Sequence, residues 1–194
     1  MHSRAVWLSA AALLAVPCAG RPAAAQSGDA FAGIPGVTIV HYPVDGADAA
    51  AVRRSIDANR PTDTHDGLRV DALSEWDTRW TWRRGPGGTC DLRTAAVRYS
   101  ATVRMPRLAA TARLTPAERA DWDRYIAALA RHEAGHVRYG YDHRGDILSA
   151  IRAATCATAD AAARAALARL DAYHLAYDRE TGHGATQGAS FPAP

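Results

Sequence analysis

The residues with the clearest chemical potential are the His-Glu-x-x-His motif His132-Glu133-Ala134-Gly135-His136. In a helix, residues four positions apart share one face, so both imidazoles can bind one metal ion. Glu133 then points to the neighbouring side, where its carboxylate can take a proton from a metal-bound water. Zinc lowers the pKa of such a water toward neutrality. The motif therefore predicts a hydrolytic Zn²⁺ site, with His132 and His136 as ligands and Glu133 as general base and then general acid.

A catalytic zinc site needs a third protein ligand, and the residues just after the motif offer a poor one. Gly140 lies four residues after His136, which is the wrong register for a glycine turn that would bring Asp142 back to the metal. If the helix continues instead, His143 lies about 16 Å along the axis from His132. We therefore do not expect His143 to bind the metal, and Asp142 is an alternative to a ligand from elsewhere in the chain.

The C-terminal region offers a better third ligand. Residues 159–180 form an alanine-rich segment with helical spacing, and Gly182 is placed to end it. His183 follows immediately, and it can approach the metal if this last helix packs antiparallel to the motif helix. Tyr177 and Asp178 lie one to two turns earlier. His174 and His41 are interpreted as ordinary packing or surface residues.

The motif helix has a well-marked beginning. Thr115-Pro116-Ala117-Glu118 combines a capping threonine, a proline at the first helical position and a glutamate three residues after the cap. Apolar residues at helical spacing follow and lead directly into His132; they are Trp122, Tyr125, Ile126 and Leu129. A helix that positions both histidines is therefore expected.

The N-terminal half has shorter, alternating patterns. Residues 37–42 are β-rich and 47–58 have helical spacing, while residues 75–84 and 95–105 alternate around a glycine-rich turn and predict two antiparallel strands. The tryptophans of this region are expected to lie in the core. We expect a solvated strand face to carry the arginines, which are Arg79, Arg83 and Arg84. The predicted fold class is α+β, with a short antiparallel sheet in the N-terminal half packed on a C-terminal helical half that carries the motif helix.

The first 25 residues have the pattern of a signal peptide. A short basic start precedes an apolar run from Ala5 to Val16, and Ala23-Ala24-Ala25 provides a small-residue cleavage site. The run is too short for a membrane anchor, and Pro17 fits lipid attachment at Cys18 poorly. We expect a secreted or periplasmic protein without stable membrane insertion.

Cysteine usage and charge agree with export. Beyond the predicted leader only Cys90 and Cys156 remain, and such a pair in an oxidising compartment predicts one disulfide. Without Arg4 and Arg21 the 23 basic residues fall to 21, against 20 acidic ones. This balance gives no reason to expect a nucleic acid or a polybasic membrane contact.

Several motifs together resemble one bacterial family, known as domain-of-unknown-function family 922 and described as predicted secreted Zn-dependent proteases. They are the Tyr-x-Val segment at 42–44, paired tryptophans before a cysteine, the segment Arg131 to His136, and the tail from Tyr177 to Gly184. The resemblance implies that the motif helix and the tail form one site with His183 as third zinc ligand. Tyr177 then becomes a candidate hydrogen-bond donor to the oxyanion. Asp178 either orients a ligand histidine or replaces His183.

These observations predict a signal peptide at 1–25 and a single zincin-like metallohydrolase domain at 26–194. The expected activity is that of a zinc metallopeptidase acting on a peptide or protein substrate. A zinc amidase of the cell envelope and a non-catalytic envelope protein that holds zinc are the alternatives. The oligomeric state is not predicted.

Overall fold

The computed structural model describes residues 30–193, and it has the predicted α+β architecture. The predicted signal peptide lies outside the described residues. Within residues 30–193, no helix is long and apolar enough to cross a membrane. The strands are β1 (Val37–Val44), β2 (Leu73–Arg84) and β3 (Cys90–Leu108), and the helices are α1 (Ala49–Asn59), α2 (Pro116–Ala153) and α3 (Ala159–Thr181).

The three strands form one mixed sheet in the order β1-β3-β2. Strands β2 and β3 are antiparallel, with Trp76 opposite Ala101, which confirms the predicted hairpin. Strand β1 adds to the other side of β3 in parallel, with Ile39 opposite Val103. The sheet is therefore mixed, whereas the sequence predicted only its antiparallel pair. On β2, alternate residues from Ser74 onward face the helices and the residues between them face solvent.

Helix α2 begins with the predicted capping box and packs along β3. The Thr115 side chain accepts from the Glu118 amide, and the Glu118 carboxylate accepts from the Thr115 amide. Val103 and Met105 of β3 are fully buried in the same core as Tyr125 of α2. The helix continues without a turn through Gly140, so the exposed Asp142 is not brought back to the motif.

Helix α3 packs antiparallel to α2, as the sequence analysis required for a shared site. His132 lies opposite Asp178, and Tyr139 further along α2 stacks on Tyr173, with ring centroids 3.4 Å apart. Trp80 and Trp82 of β2 pack on a second apolar cluster between the two helices. The prediction that tryptophans fill the core agrees with this packing, although Trp76 also faces a cleft.

The predicted disulfide joins Cys90 at the start of β3 to Cys156 in the α2–α3 loop, with Cα atoms 5.7 Å apart. The two cysteines are 66 residues apart. Closing a loop of that length lowers the conformational entropy of the unfolded chain, which raises the free energy of unfolding by about 4 kcal/mol.

We expect the double variant Cys90→Ser, Cys156→Ser to unfold at a lower urea concentration, with a free energy of unfolding reduced by about 4 kcal/mol. Reductant should shift the wild type in the same direction and leave the variant unchanged. If both proteins have the same urea midpoint of unfolding, with and without reductant, the disulfide does not stabilise the fold.

Candidate metal centre

Two helices bring three ligand atoms together beneath the sheet. Nε2 of His132 and Nε2 of His136 lie 3.3 Å apart, and both face Oδ1 of Asp178 at 3.1 and 3.0 Å. Both histidines are buried, and Asp178 is partly buried. Among residues 30–193, these three residues form a group that could hold a metal ion.

The spacing of the three atoms fits a small tetrahedral cation. A metal with bonds of about 2.0–2.1 Å has ligand atoms about 3.3–3.4 Å from one another. The observed separations of 3.0–3.3 Å are close to this value. The His132–His136 pair comes from one helical turn, and only the carboxylate depends on how α3 docks against α2.

The outer contacts of both histidines direct their Nε2 atoms inward. Nδ1 of His132 lies 2.9 Å from Oε1 of Gln187, an amide oxygen that can only accept, so the His132 proton sits on Nδ1. Nδ1 of His136 faces Nδ1 of His174 at 3.1 Å. If His136 also carries its proton on Nδ1, three lone pairs converge. Such an arrangement is unfavourable unless a cation or a proton lies between them.

The electrostatics of the group favour a positive charge at its centre. Burial opposes ionisation of Asp178, but the adjacent His132 and His136 rings outweigh it and lower the pKa of the carboxyl. Burial likewise opposes a charge on His132, yet the neighbouring Asp178 and Glu133 carboxylates raise its pKa. His174 behaves differently, because burial and the neighbouring His136 lower its pKa to about 3 and keep its ring neutral.

Glu133 is buried at 4% exposure, and its Oε2 accepts a 2.6 Å hydrogen bond from the hydroxyl of Ser74 on β2. Burial raises the pKa of the carboxyl, and the nearby His136 and His132 limit that rise. Glu133 lines the same cleft as the three ligand residues. Ser74 carries no sequence signal for this contact, because only the docking of β2 on α2 brings the two side chains together.

Tyr177 packs beside the centre rather than inside the cleft. Its ring stacks on that of His132 at 5.0 Å, and its hydroxyl accepts from Nε2 of Gln187 at 3.0 Å. Gly135 of the motif makes this packing possible, since a Cβ at that position would come within 2.7 Å of the tyrosine oxygen. Tyr177 is not among the residues that line the cleft. Its role as a donor to a substrate oxygen stays a prediction.

His183 reaches the edge of the site and lies outside the compact group. It follows Gly182 in a left-handed backbone conformation (φ 51°), which directs its ring toward the mouth of the cleft. There Nδ1 lies 3.5 Å from Oδ1 of Asp178, and Nε2 lies 3.7 Å from Asp66. Asp178, the alternative third ligand of the sequence analysis, occupies the position between the two imidazoles.

A cleft lies in front of the three ligand residues. One wall is formed by the beginning of β2 with Ser74 and Trp76, and another by the side of α3 that carries His174 and Asp178. Residues 63 and 65 of the preceding loop cover part of it, where His65 stacks on Trp76 with centroids 6.1 Å apart. Glu133 and the three residues of the metal-binding group line this cleft.

Comparison with known proteins gives a family without an established activity. No curated protein and no solved structure matches this chain. A family model described as "Bacterial protein of unknown function (DUF922)" matches residues 39–184 of the 194. The match runs from β1 through the motif helix to the glycine after His183, and so includes every residue of the proposed centre except Gln187. The chain therefore belongs to the DUF922 family of bacterial proteins.

Proposed function

We propose that this protein is a zinc-dependent metallopeptidase. The observation that carries the proposal is the placement of the buried Glu133 beside three convergent ligand atoms, from His132, His136 and Asp178, at the base of an open cleft. A structural zinc site usually has four protein ligands, whereas a catalytic one has three and an open position. The three-residue group at the base of a cleft fits the second kind.

Zinc suits this donor set better than a harder cation. Two imidazole nitrogens and one carboxylate oxygen are ligands typical of catalytic zinc, while magnesium and calcium prefer sites made of oxygen atoms. In this proposal Asp178 is the third ligand. His183 lies 3.5 Å from the same carboxylate oxygen and orients Asp178 from outside.

The chain's own groups supply the proton transfers. A bound zinc ion lowers the pKa of a coordinated water and polarises a carbonyl oxygen. Ser74 holds Oε2 of Glu133, so Oε1 is the oxygen that takes the proton of the attacking water. Glu133 then delivers this proton to the leaving amine. Gln187 and Tyr177 hold the His132 ring in the orientation that directs Nε2 inward.

We further propose that the protein works outside the cytoplasm. The Cys90–Cys156 disulfide supports this location, because structural disulfides persist mainly in oxidising compartments. The signal peptide pattern of residues 1–25 points the same way.

The activity can be tested with a mixed peptide library digested by the zinc-loaded protein, with new amino termini identified by mass spectrometry. We expect defined cleavage that 1,10-phenanthroline abolishes and added zinc restores. If a protein with one bound zinc cleaves no peptide in the library, the peptidase assignment fails. Testing the same protein on N-acyl amino acid amides then examines the amidase alternative.

Ser74 offers a separate test of the proposed base. Removing its hydroxyl with Ser74→Ala leaves the buried Glu133 carboxylate without its 2.6 Å donor. Hydrogen bonds to charged groups contribute about 1.5–3 kcal/mol, so we expect kcat to fall roughly 10- to 100-fold. Zinc affinity should stay unchanged, since Ser74 contacts no ligand atom. Thr78→Ala, on the same face of β2 and away from the cleft, is the matched control. If the Ser74→Ala enzyme keeps the wild-type kcat, the hydrogen bond from Ser74 to Glu133 does not contribute to catalysis.

A further inference from the structure

The contact between His136 and His174 has features that packing alone does not explain. The two Nδ1 atoms lie 3.1 Å apart between buried rings, and His174 is only 3% exposed. Among the described residues, Nε2 of His174 has no hydrogen-bond partner. The ring is held between Trp76 (centroids 4.1 Å apart) and Tyr139 (5.7 Å), which fixes its position.

Only one of the two facing Nδ1 atoms can carry the shared proton. If His174 carries it, neutral His136 must hold its own proton on Nε2, where an N–H faces Asp178 and cannot bind a metal. If His136 carries it on Nδ1, its Nε2 lone pair joins the group with His132 and Asp178. His174 then holds its proton on the unpartnered Nε2, which is an unfavourable place for a buried N–H.

We propose that His174 is a positioning residue that accepts the Nδ1 proton of His136 and thereby sets Nε2 of His136 as a metal ligand. The inference rests on the proposed metal centre. Gln187 plays the matching role for His132. Its Oε1 accepts the hydrogen bond from Nδ1 of His132, at a distance of 2.9 Å. His174 and Asp178 are four residues apart on α3, so one face of that helix provides both a ligand and the partner of another ligand. The unpartnered Nε2–H of His174 has a free-energy cost, and the metal bond that this tautomer allows at Nε2 of His136 offsets it.

Two substitutions separate hydrogen bonding from packing. His174→Phe keeps an aromatic ring between Trp76 and Tyr139 but has no acceptor. His174→Asn loses the ring but keeps an amide oxygen near the position of Nδ1. His41→Phe, at an exposed residue of β1, is the control. Zinc affinity is measured by competition with a chromophoric chelator, and the visible spectrum of the Co²⁺-loaded protein reports the ligand geometry.

Loss of an outer partner of a ligand histidine typically lowers metal affinity 10- to 100-fold. We expect this loss and an altered Co²⁺ spectrum in His174→Phe, with affinity within a few-fold of wild type in His174→Asn and His41→Phe. Wild-type affinity in His174→Phe, or a loss in His174→Asn as large as or larger than that in His174→Phe, would overturn the inference. If His174→Phe does not fold, a loss of more than 10-fold in His174→Asn alone overturns it. A wild type that binds no zinc would instead refute the metal centre itself.

Discussion

Replacing Glu133 with glutamine is expected to lower kcat on a cleaved peptide by roughly 10²- to 10⁴-fold, the contribution usual for a positioned general base. The amide keeps the size of the side chain and can still contact Ser74, but it cannot accept and return a proton. Glu133 donates no atom to the His132–His136–Asp178 group, so zinc affinity should stay within a few-fold of wild type. Steady-state kinetics and zinc competition on the same preparation measure both quantities.

The matched control is Glu180→Gln, which removes the same charge at an exposed position of α3 outside the cleft. It should leave kcat and zinc affinity unchanged. A Glu133→Gln protein with full activity and bound zinc would show that another group takes the proton. The assignment of Glu133 would then be wrong, although the metal centre would stand.

The second large effect is expected at Asp178. Outer partners of metal ligands are worth about 10- to 100-fold in affinity, so loss of a direct ligand in Asp178→Ala should cost more than roughly 100-fold. His183→Ala should fall within the smaller range, because in this structure its ring contacts the carboxylate from outside. Competition with a chelator of known zinc affinity gives both values.

Asp171→Ala serves as the control, since Asp171 lies on α3 and lines the same cleft without joining the ligand group. It should bind zinc like the wild type. The opposite order, with zinc lost in His183→Ala and retained in Asp178→Ala, would restore His183 as the third ligand. That outcome would also mean that the tail after Gly182 rearranges when metal binds.

The sequence predicts those parts of the site that depend on local spacing. The capping box at Thr115 and the apolar face after it define where α2 begins, and the four-residue spacing then places His132 and His136 together. Gly182 ends α3 as expected, in the left-handed conformation. The antiparallel pairing of β2 and β3 follows from equally local signals, and the disulfide follows from the presence of just two cysteines beyond the predicted leader.

The parts that the sequence left open depend on tertiary contacts. Ser74 reaches Glu133 across 59 positions of the chain, and Gln187 reaches His132 across 55. No local pattern marks either residue. The choice between Asp178 and His183 depends on a difference of a few ångströms in how α3 docks on α2. The parallel addition of β1 to β3 is also decided by packing, because an isolated β-rich segment does not specify its partner.

Elemental analysis tests most directly whether His132, His136 and Asp178 bind one zinc ion. The protein would be expressed with metals in excess, purified and dialysed against a weak chelator. We expect close to one zinc per chain in the wild type and almost none in Asp178→Ala. A wild type without zinc, or with another metal in stoichiometric amount, would contradict the zinc centre and the peptidase function built on it.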